Sequence, residues 1–260
     1  MDRVELLFLG TGTSAGVPMI GCHCAVCCSD DARDKRTRPS VVISYGSTRV
    51  LVDTTPEIRL QCITNRVDMI DAIVFTHAHA DHIMGLDDVR RFNALRNGPL
   101  DVWADQRTHR TLQQCFGYAF QEPSPQLKVF RPHLVPRTID GPFNIAGALW
   151  TPIPLMHGDL PILGFRVGDV AYCTDVSAVP ESSFKLLEDL DVLVLDALQY
   201  KKHATHMSID EAIAAATRIG AKKTLFTHIA HALPHVETNR LLPPGMQLAY
   251  DGQRIASSTS

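Results

Sequence analysis

Four potential metal ligands directly after an apolar run limit most strongly what this chain can fold into. The apolar residues 72–75 predict a buried strand, and side chains two apart in a strand share a face, so His77 and His79 are expected to point to one side. Asp81 and His82 follow in the next loop, where they can turn towards a second point nearby. Imidazole and carboxylate groups bind zinc, manganese or iron. The spacing therefore favours a dinuclear metal site over a histidine-rich surface loop that binds metal by accident.

A dinuclear site needs further ligands, and three candidates follow later runs of β-like sequence. These are His157, Asp175 and His228. A rigid scaffold presents functional residues on loops at the ends of its strands, which agrees with this placement. Taken singly, a histidine at a strand end is more often an ordinary hydrogen-bonded polar residue, so the prediction depends on joint occurrence with the first motif. Asp175 is the carboxylate best placed to bridge two ions, and two adjacent ions favour hydrolysis of phosphate esters.

The composition is that of a globular protein without a general affinity for nucleic acid. Of the 260 residues, 45% are hydrophobic and 20% are charged, and the net charge is −3. A chain of this length can form one domain. The basic run at residues 33–38 is more typical of a solvated loop than of a nucleic-acid surface. We therefore expect no stable nucleic acid complex.

The same sequence gives no sign of a membrane or export segment. No stretch approaches the roughly 20 apolar residues that cross a bilayer, so no membrane partner is expected. Residues 1–5 lack a basic stretch followed by a long apolar core, and no secretory signal is evident. Seven cysteines, an odd number, argue against a pure disulfide framework, and a metal explains the clustered ones better. These features predict a cytoplasmic protein.

Alternating strand and helix patterns predict one α/β domain over residues 1–256, with two stacked sheets and helices outside, and a disordered tail at 257–260. The predicted strands cover residues 4–9, 40–44, 49–53, 72–76, 149–152, 164–167, 170–174, 192–195 and 224–227. The predicted helices cover residues 56–64, 106–116, 180–190 and 208–219. The last of these begins with a capping-box sequence at Ser208. The Pro- and Gly-rich residues 117–148 are predicted to be irregular.

Three cysteines within six residues, Cys22, Cys24 and Cys27, predict a second metal site. Thiolates bind zinc, and a tetrahedral structural site needs a fourth ligand, for which His231 is the candidate. Such a site would join two loops. A redox pair formed by the last two cysteines, or buried inert thiols, are the alternatives. His23 is a weaker alternative for the fourth ligand, and Cys28 is predicted to take no part in the site.

His206 lies two residues before the capped helix that begins at Ser208. Helix N-terminal amides favour an anion such as phosphate. His206 is therefore predicted to contact the phosphate and to protonate the departing alkoxide as a general acid. The alternative is an exposed loop histidine, which would be preferred if His206 stood alone. Four other histidines have only that interpretation, namely His109, His133, His203 and His235.

The first motif and the three later candidates resemble the metallo-β-lactamase superfamily over nearly the whole chain, in the residues His77-Ala78-His79-Ala80-Asp81-His82, His157, Asp175 and His228. The resemblance implies a four-layered αβ/βα sandwich with the metals at its edge. It implies one ion held by His77, His79 and His157. It implies a second ion held by Asp81, His82 and His228, with Asp175 as the bridge. The implied nucleophile is a hydroxide between the two cations, which gives Asp81 and Asp175 catalytic roles as well.

Within that superfamily, residues 21–27, residues 227–231 and His206 resemble the PhnP-type phosphodiesterases. Members of that branch hydrolyse cyclic phosphates of ribose and 2′,3′-cyclic nucleotides, use a Cys3His zinc as a structural site, and are generally homodimers. The resemblance implies two divalent active-site ions (manganese or zinc, with iron as a further option) and one structural zinc. It also implies a small phosphate-diester or nucleotide substrate and leaves a homodimer open. The chain departs from that branch around residues 105–136.

Three alternative functions stay open. A transfer-RNA 3′-processing nuclease has a similar ligand set, but it would need a long basic or Gly/Pro-rich arm to grip folded RNA. An esterase, lactonase or thioesterase would use the same hydroxide on a carbonyl carbon, and the cysteine cluster and His206 weigh against it. A non-catalytic metal-binding protein, including a cofactor-biosynthesis relative with a cysteine zinc loop, is disfavoured because such proteins tend to lose active-site ligands.

Overall fold

Two seven-stranded sheets form the centre of the computed structural model, which describes residues 3–122 and 130–258. The first sheet consists of β1 (Val4–Gly10), β2 (Ser40–Tyr45), β3 (Thr48–Val52), β4 (Ala72–Val74), β5 (Leu100–Ala104), β6 (Leu134–Thr138) and β14 (Arg254–Ala256). The second sheet consists of β7 (Phe143–Ile145), β8 (Ala148–His157), β9 (Leu160–Val167), β10 (Val170–Cys173), β11 (Val192–Asp196), β12 (Lys223–Thr227) and β13 (Met246–Leu248).

Each sheet combines an antiparallel and a parallel half. The strand orders are β14-β1-β2-β3-β4-β5-β6 and β13-β12-β11-β10-β9-β8-β7. The strands from β3 to β6 pair in parallel, as do those from β10 to β13, and the others pair antiparallel. Parallel neighbours need a crossover connection, which usually contains a helix. The carboxyl ends of the parallel strands therefore meet at one edge of each sheet.

Seven α-helices accompany the sheets in the described residues. They are α1 (Ile58–Asn65), α2 (Ala80–Ile83), α3 (Arg90–Arg96), α4 (Gln106–Phe116), α5 (Glu181–Phe184), α6 (Ile209–Ile219) and α7 (His235–Leu241). Short 3₁₀ turns cover Ala32–Asp34, Leu86–Val89, Gly117–Phe120 and Lys185–Leu187. Within the described ranges, none of the helices combines the length and the apolar character that crossing a membrane requires.

Three apolar clusters define four layers. Between the sheets, Phe8 of β1 belongs to the same buried cluster as Trp150 and Phe165 of the second sheet. A second cluster packs the outer face of the first sheet against α1, α3 and α4, and a third packs the outer face of the second sheet against α6. Side chains alternate between the two faces of a strand, so each sheet contributes to two clusters. This arrangement confirms the predicted αβ/βα sandwich.

The prediction that residues 117–148 are irregular is wrong, because β6, β7 and the start of β8 lie there. Both β6 and β7 are edge strands of their sheets. Pro136 is part of β6, and proline is tolerated at an edge, where one side of the strand has no ladder partner. The Pro and Gly residues therefore indicated sheet edges rather than a loop. Residues 123–129 of this stretch lie outside the described residues.

Other predicted elements differ mainly in their ends. The prediction of a helix over 106–116 coincides with α4, and Ser208 caps α6 with a complete capping box that includes Glu211. The strand predicted over 149–152 extends to His157, although Pro152 and Pro154 lie within it. The helix predicted over 180–190 is shorter, because α5 passes into a 3₁₀ turn after Phe184.

The C-terminal residues are partly placed against the domain. Of the tail predicted to be disordered, Ser257 is buried, and its hydroxyl and backbone pair with the backbone of Val4. The backbone N–H of Ser258 donates to Asp191 at 2.6 Å. These two residues are therefore ordered, contrary to the prediction, and residues 259–260 lie outside the described residues.

Candidate metal-dependent active site

The loop after β4 brings the first group of predicted ligands together. His77 and His79 lie between β4 and α2, and His157 is the last residue of β8. One ligand atom from each of these three side chains lies within 4.8 Å of the others. His77 and His157 are buried, whereas His79 is exposed. The predicted convergence of His77 and His79 on one side therefore occurs in the fold.

A second group of ligand atoms lies beside the first. Asp81, His82, Asp175 and His228 also lie within 4.8 Å of one another. Nε2 of His82 is 3.2 Å from one carboxylate oxygen of Asp175, and Nε2 of His228 is 3.1 Å from the other. Asp175 also lies within 4.8 Å of His157. It is therefore placed to contact both groups, as a bridging carboxylate must be.

Three residues near strand ends adopt the left-handed backbone conformation. They are Asp53, Asp175 and His228, with φ of 63°, 60° and 59°. This conformation is uncommon for residues other than glycine, and aspartate tolerates it better than most. It persists where the surrounding structure enforces it, which happens frequently at functional sites. Here the turn directs side chains that follow β3, β10 and β12 into one cluster.

Asp53 orients His82 from behind. Its carboxylate is 2.7 Å from Nδ1 of His82 and accepts hydrogen bonds from the backbone N–H and the hydroxyl of Thr76 at 2.9 and 2.8 Å. Asp53 is fully buried. A carboxylate on Nδ1 fixes the ring orientation and leaves Nε2 free for a metal. The sequence did not indicate this role, although Asp53 comes directly after the apolar strand β3.

Two other histidines of the cluster have partners on the nitrogen that faces away from it. Nδ1 of His157 is 2.7 Å from the carbonyl oxygen of Thr205. Nδ1 of His77 is 3.0 Å from the hydroxyl of Thr76. These contacts select the ring orientation in the same way as Asp53 does for His82.

The ring nitrogens of the candidate ligands that point into the cluster are available to bind a cation. Nε2 of His77 and Nδ1 of His228 are buried and have no hydrogen-bond partner, and the Nε2 atoms of His82 and His228 have only the Asp81 and Asp175 carboxylates nearby. Unpaired buried polar atoms are costly and rare in native proteins. Nitrogen and carboxylate oxygen donors in this number match the preferences of divalent transition metals. The residues present therefore fit divalent metal ions.

The charges of the cluster also favour the binding of cations. Although burial opposes it, the cationic His228 and His82 hold the pKa of Asp175 well below its usual range. Burial alone would lower the pKa of His82, but the Asp175, Asp53 and Asp81 carboxylates raise it well above its usual value. Asp175 and Asp81 thus favour the ionised form and attract positive charge into a water-poor site. Metal ions supply that charge without a proton.

His206 lies at the side of this cluster and has a carboxylate partner. Its Nδ1 is 2.7 Å from Asp196, the last residue of β11, which is fully buried. The His206 ring stacks on His228 with a centroid separation of 4.4 Å and meets the edge of His157 at 4.6 Å. A ligand atom of His206 also lies within 4.8 Å of His157 and Asp175. Asp196 is a second residue that the sequence did not indicate.

Burial governs the protonation of this pair. Burial and the cationic His228 lower the pKa of His206 to about 4. Burial also raises the pKa of Asp196 well above its usual range. The two side chains therefore carry little net charge together and share one proton between them. Such a pair can hold a proton close to the cluster.

The N-terminal amides of α6, which suggested an anion near His206, already have partners in the structure. The N–H of Ser208 and that of Glu211 are used within the capping box, at 3.0 and 3.4 Å. The N–H of Ile209 donates to the carbonyl of Gln199 at 2.8 Å. With these amides occupied, the case for His206 depends on Asp196 and on its position beside the metal ligands.

The cysteine cluster forms a separate group of four ligand atoms. Nδ1 of His231 lies 3.2, 3.4 and 3.5 Å from the sulfurs of Cys22, Cys24 and Cys27. The four atoms lie within 4.8 Å of one another, a compact set that suits a tetrahedral zinc site. The backbone N–H of Cys27 lowers the pKa of the Cys24 thiol to about 6. All the cysteines are free thiols, and the remaining candidates lie outside the group, namely His23 and Cys28.

Two of the four histidines that were interpreted as exposed loop residues are buried in helices. His109 in α4 pairs with the carbonyl of Arg137 at 2.9 Å, and His235 begins α7. Their burial follows from the faces that these helices turn inward, which the local sequence did not indicate. His203 is exposed, and its ring lies 5.4 Å from that of His206.

Comparison with known proteins identifies relatives that match most of this chain. A family model described as a beta-lactamase superfamily domain matches residues 48–229. A relative from Porphyromonas gingivalis named octanoyltransferase is 37% identical over 253 residues, which cover 96% of this chain and 51% of that protein. This chain therefore spans about half the length of that relative.

Solved structures give the same family. The Zn²⁺-bound PqqB from Methylobacterium extorquens is 19% identical to this chain, with a TM-score of 0.76. The match covers 96% of this chain and 99% of PqqB, and it shows that the two share a fold. A crystal structure described as a new diphosphatase from the PhnP family is 44% identical, with a TM-score of 0.91 and coverage of 98% of this chain and 97% of that chain. The chain therefore belongs to the metallo-β-lactamase superfamily, in its PhnP-type branch.

Proposed function

We propose that the protein is a metal-dependent phosphodiesterase that hydrolyses small, cyclic phosphate diesters such as ribose cyclic phosphates or 2′,3′-cyclic nucleotides. The observation that carries the proposal is the His206–Asp196 pair, which lies against a complete set of seven candidate metal ligands. A metal-binding protein without activity has no need of a histidine that is oriented in this way. A hydrolase uses it to move a proton at the reacting bond.

In the proposed site, the chain's own residues hold and orient the reacting groups. His77, His79 and His157 would hold one ion, and Asp81, His82 and His228 would hold the other, with Asp175 able to contact both. When bound, two divalent ions would activate a water and neutralise charge on the phosphate. Asp53 and the carbonyl of Thr205 keep the ligand rings in place.

The role proposed for His206 is to supply a proton to the departing oxygen. Asp196 occupies Nδ1 of His206 at 2.7 Å, which leaves Nε2 as the nitrogen that can face a substrate. Opening a cyclic phosphate releases an alkoxide, which is a poor leaving group unless it is protonated. The loss of His206 should therefore slow opening of a ring more than it slows loss of an acidic leaving group.

A second candidate is hydrolysis of a diphosphate bridge. It is favoured by the relative described as a diphosphatase, which is 44% identical to this chain over 97% of its own length. The same ligands would serve both reactions. A leaving phosphate needs less protonation than an alkoxide, so dependence on His206 separates the two. This chain covers 51% of the relative named octanoyltransferase, so the activity in that name can reside in the part of that protein that this chain does not match.

The test is a substrate panel on protein of measured metal content. It includes 2′,3′-cyclic nucleotides, bis(p-nitrophenyl) phosphate, a dinucleoside diphosphate, a precursor transfer RNA, a lactone and a thioester. Preferred opening of the cyclic nucleotides supports the proposal, and preferred cleavage of the dinucleoside diphosphate selects the second candidate. Turnover of only the RNA or carbonyl substrates contradicts both. Metal-free protein is the control for each substrate.

Three further expectations accompany the proposal. We propose that Cys22, Cys24, Cys27 and His231 hold one structural zinc. A homodimer stays a prediction, which sedimentation of the purified chain would test. The cytoplasmic location also stays a prediction.

A further inference from the structure

A cavity of about 310 Å³ on the outer face of the first sheet is lined by four arginines. We name it the arginine cavity, and its polar lining comprises Arg3, Glu5, Ser44, Arg49, Arg66 and Arg254. It lies away from the metal ligands. From Glu5 to Thr11, β1 and the residue after it extend about 20 Å at the rise of a strand, and Thr11 accepts a hydrogen bond from Ile229, next to His228.

The register of the first sheet explains why these residues converge. Glu5 pairs with Ser44, and Ser44 pairs with Arg49 on the next strand. On the other side of β1, Arg254 pairs with Leu7. Residues two apart share a face, so Arg254 and Arg49 flank the row that contains Glu5.

The two remaining arginines approach from outside the sheet. Arg3 precedes Glu5 by two positions and so follows the same face. Arg66 comes from the end of α1, where it adopts a left-handed conformation with φ of 56° as the C-cap. Buried Leu7 and Val42 contribute apolar surface to the lining. The result is a small concave site with an apolar part and cationic walls.

The cavity has an excess of positive charge. Arg254 pairs with Glu5 at 2.7 Å, and Arg49 pairs with Asp68 at 3.1 Å, where the Asp68 side chain is 84% exposed. Exposed pairs of this kind contribute little and exchange readily. Arg3 and Arg66 form no ion pair with any residue in the ranges 3–122 and 130–258. Four permanent positive charges thus face one carboxylate in the lining.

We propose that the arginine cavity binds a small anion that carries two phosphate groups, such as a nucleoside diphosphate. A guanidinium keeps its proton at all physiological pH values and matches phosphate with two parallel hydrogen bonds. The volume is at the lower end of the range for small-molecule sites. A concave site of this size suits a small ligand rather than a polymer backbone. The site is separate from the metal centre, and the proposal does not depend on the reaction that the metal centre performs.

The test is calorimetric titration of the metal-loaded full chain with α,β-methylene-ADP, which resists hydrolysis. Two classes of binding are expected, one at the metal centre and one at the arginine cavity. In the double variant Arg49→Gln/Arg66→Gln, the affinity of the arginine cavity for the analogue should fall at least about tenfold, because charge-assisted hydrogen bonds are lost. Hydrolysis of bis(p-nitrophenyl) phosphate should not change, because neither residue contacts the metal ligands.

The matched control is Arg59→Gln/Arg91→Gln, which removes the same charge from exposed arginines outside the cavity. The control should keep the cavity class. Equal weakening in both double variants would mean a general charge effect and would overturn the proposal. A single class of binding that disappears with Asp175→Ala would also overturn it, as would preference for an RNA oligonucleotide over the methylene analogue.

Discussion

The two candidate metal centres of this chain are built in opposite ways. In the His/Asp centre, the ligands come from the ends of several strands, and distant residues such as Asp53 and Thr205 orient the rings. In the cysteine centre, three ligands come from one short loop and the fourth, His231, is 204 positions beyond Cys27. A centre with ligands held from behind is suited to catalysis, because the geometry must be maintained while a substrate reacts. A centre of four closely placed ligands is suited to joining two loops.

The loop that carries His231 has its own support. Arg36 is buried, pairs with Asp34 at 2.8 Å, and donates to the carbonyls of Ala230 and Leu233 at 3.1 and 2.8 Å. The N–H of His235 also donates to Asp34 at 2.9 Å. A zinc in the cysteine centre would therefore add to a network of hydrogen bonds that already holds this loop. We expect changes at the cysteine centre to affect stability, and changes at the His/Asp centre to affect chemistry.

The largest effect is expected from Asp175→Ala. This change removes the carboxylate that faces both His82 and His228, so metal and activity should be lost together. The loss of kcat/KM should exceed the about 100-fold that removal of an outer partner of a metal ligand costs. Metal analysis and turnover of bis(p-nitrophenyl) phosphate measure both quantities. A variant that keeps its metals and its turnover would contradict the bridging position.

His206→Ala should lower kcat for a cyclic nucleotide by about 10²- to 10⁴-fold, the range for loss of a general acid. The metal content should not change, because His206 is not among the proposed ligands. The matched control is His203→Ala, an exposed neighbour. Equal rates for His206→Ala and the wild type would refute the general-acid role.

A smaller effect is expected from Asp53→Asn. The amide group would present a donor to Nδ1 of His82 or to Thr76, which favours a proton on Nε2 and opposes metal binding. Metal affinity or activity should fall by about 10- to 100-fold. Asparagine tolerates the left-handed backbone at this position, so the fold should be kept. Asp71→Asn, a change at a carboxylate outside the centre, is the control, and equal behaviour of the two variants would count against the positioning role of Asp53.

At the cysteine centre, Cys24→Ser should remove one equivalent of zinc and leave kcat within a few-fold of the wild type. The apparent melting temperature should fall by at least about 5 °C, because a link between two loops is lost. Cys28→Ser is the matched control, since Cys28 is exposed and lies outside the group of four. Loss of activity without loss of stability in Cys24→Ser would reverse the comparison between the two centres.

The smallest effect concerns acid stability near the His231 loop. Burial lowers the pKa of His235 to about 4. Between pH 6.5 and 4, the folded chain thus binds fewer protons than the unfolded chain, so the free energy of unfolding rises with pH. The contribution is fully present above pH 6.5 and is lost as the pH falls through 4. Urea unfolding of the wild type and of His235→Gln across this window should show the difference, and parallel pH profiles would contradict it.

The sequence predicted those parts of the centres that depend on local spacing. The ligands between His77 and His82 lie within six positions, and so do the three cysteines. Such spacing is informative because few other functions require it. The capping box at Ser208 is local in the same sense, and the structure contains it.

Asp53 and Asp196 were missed for the opposite reason. Each is a single acidic residue after or at the end of an apolar strand, and its partner, His82 or His206, is 29 or 10 positions away. Nothing in the local sequence distinguishes such a residue from an ordinary turn aspartate. Tertiary packing determines which aspartate is buried behind a histidine. The same limit applies to the edge strand β6, where Pro136 resembles a loop signal until its place at the sheet edge is known.

The most direct test of the account is a crystal structure of the protein as purified, with anomalous scattering recorded at the zinc, manganese and iron edges. The account predicts three ions for each chain. Two should lie between the ligand groups of the His/Asp centre, bridged by Asp175, and a zinc should lie among Cys22, Cys24, Cys27 and His231. A single ion in the His/Asp centre, or one that Asp175 does not contact, would contradict the central claim.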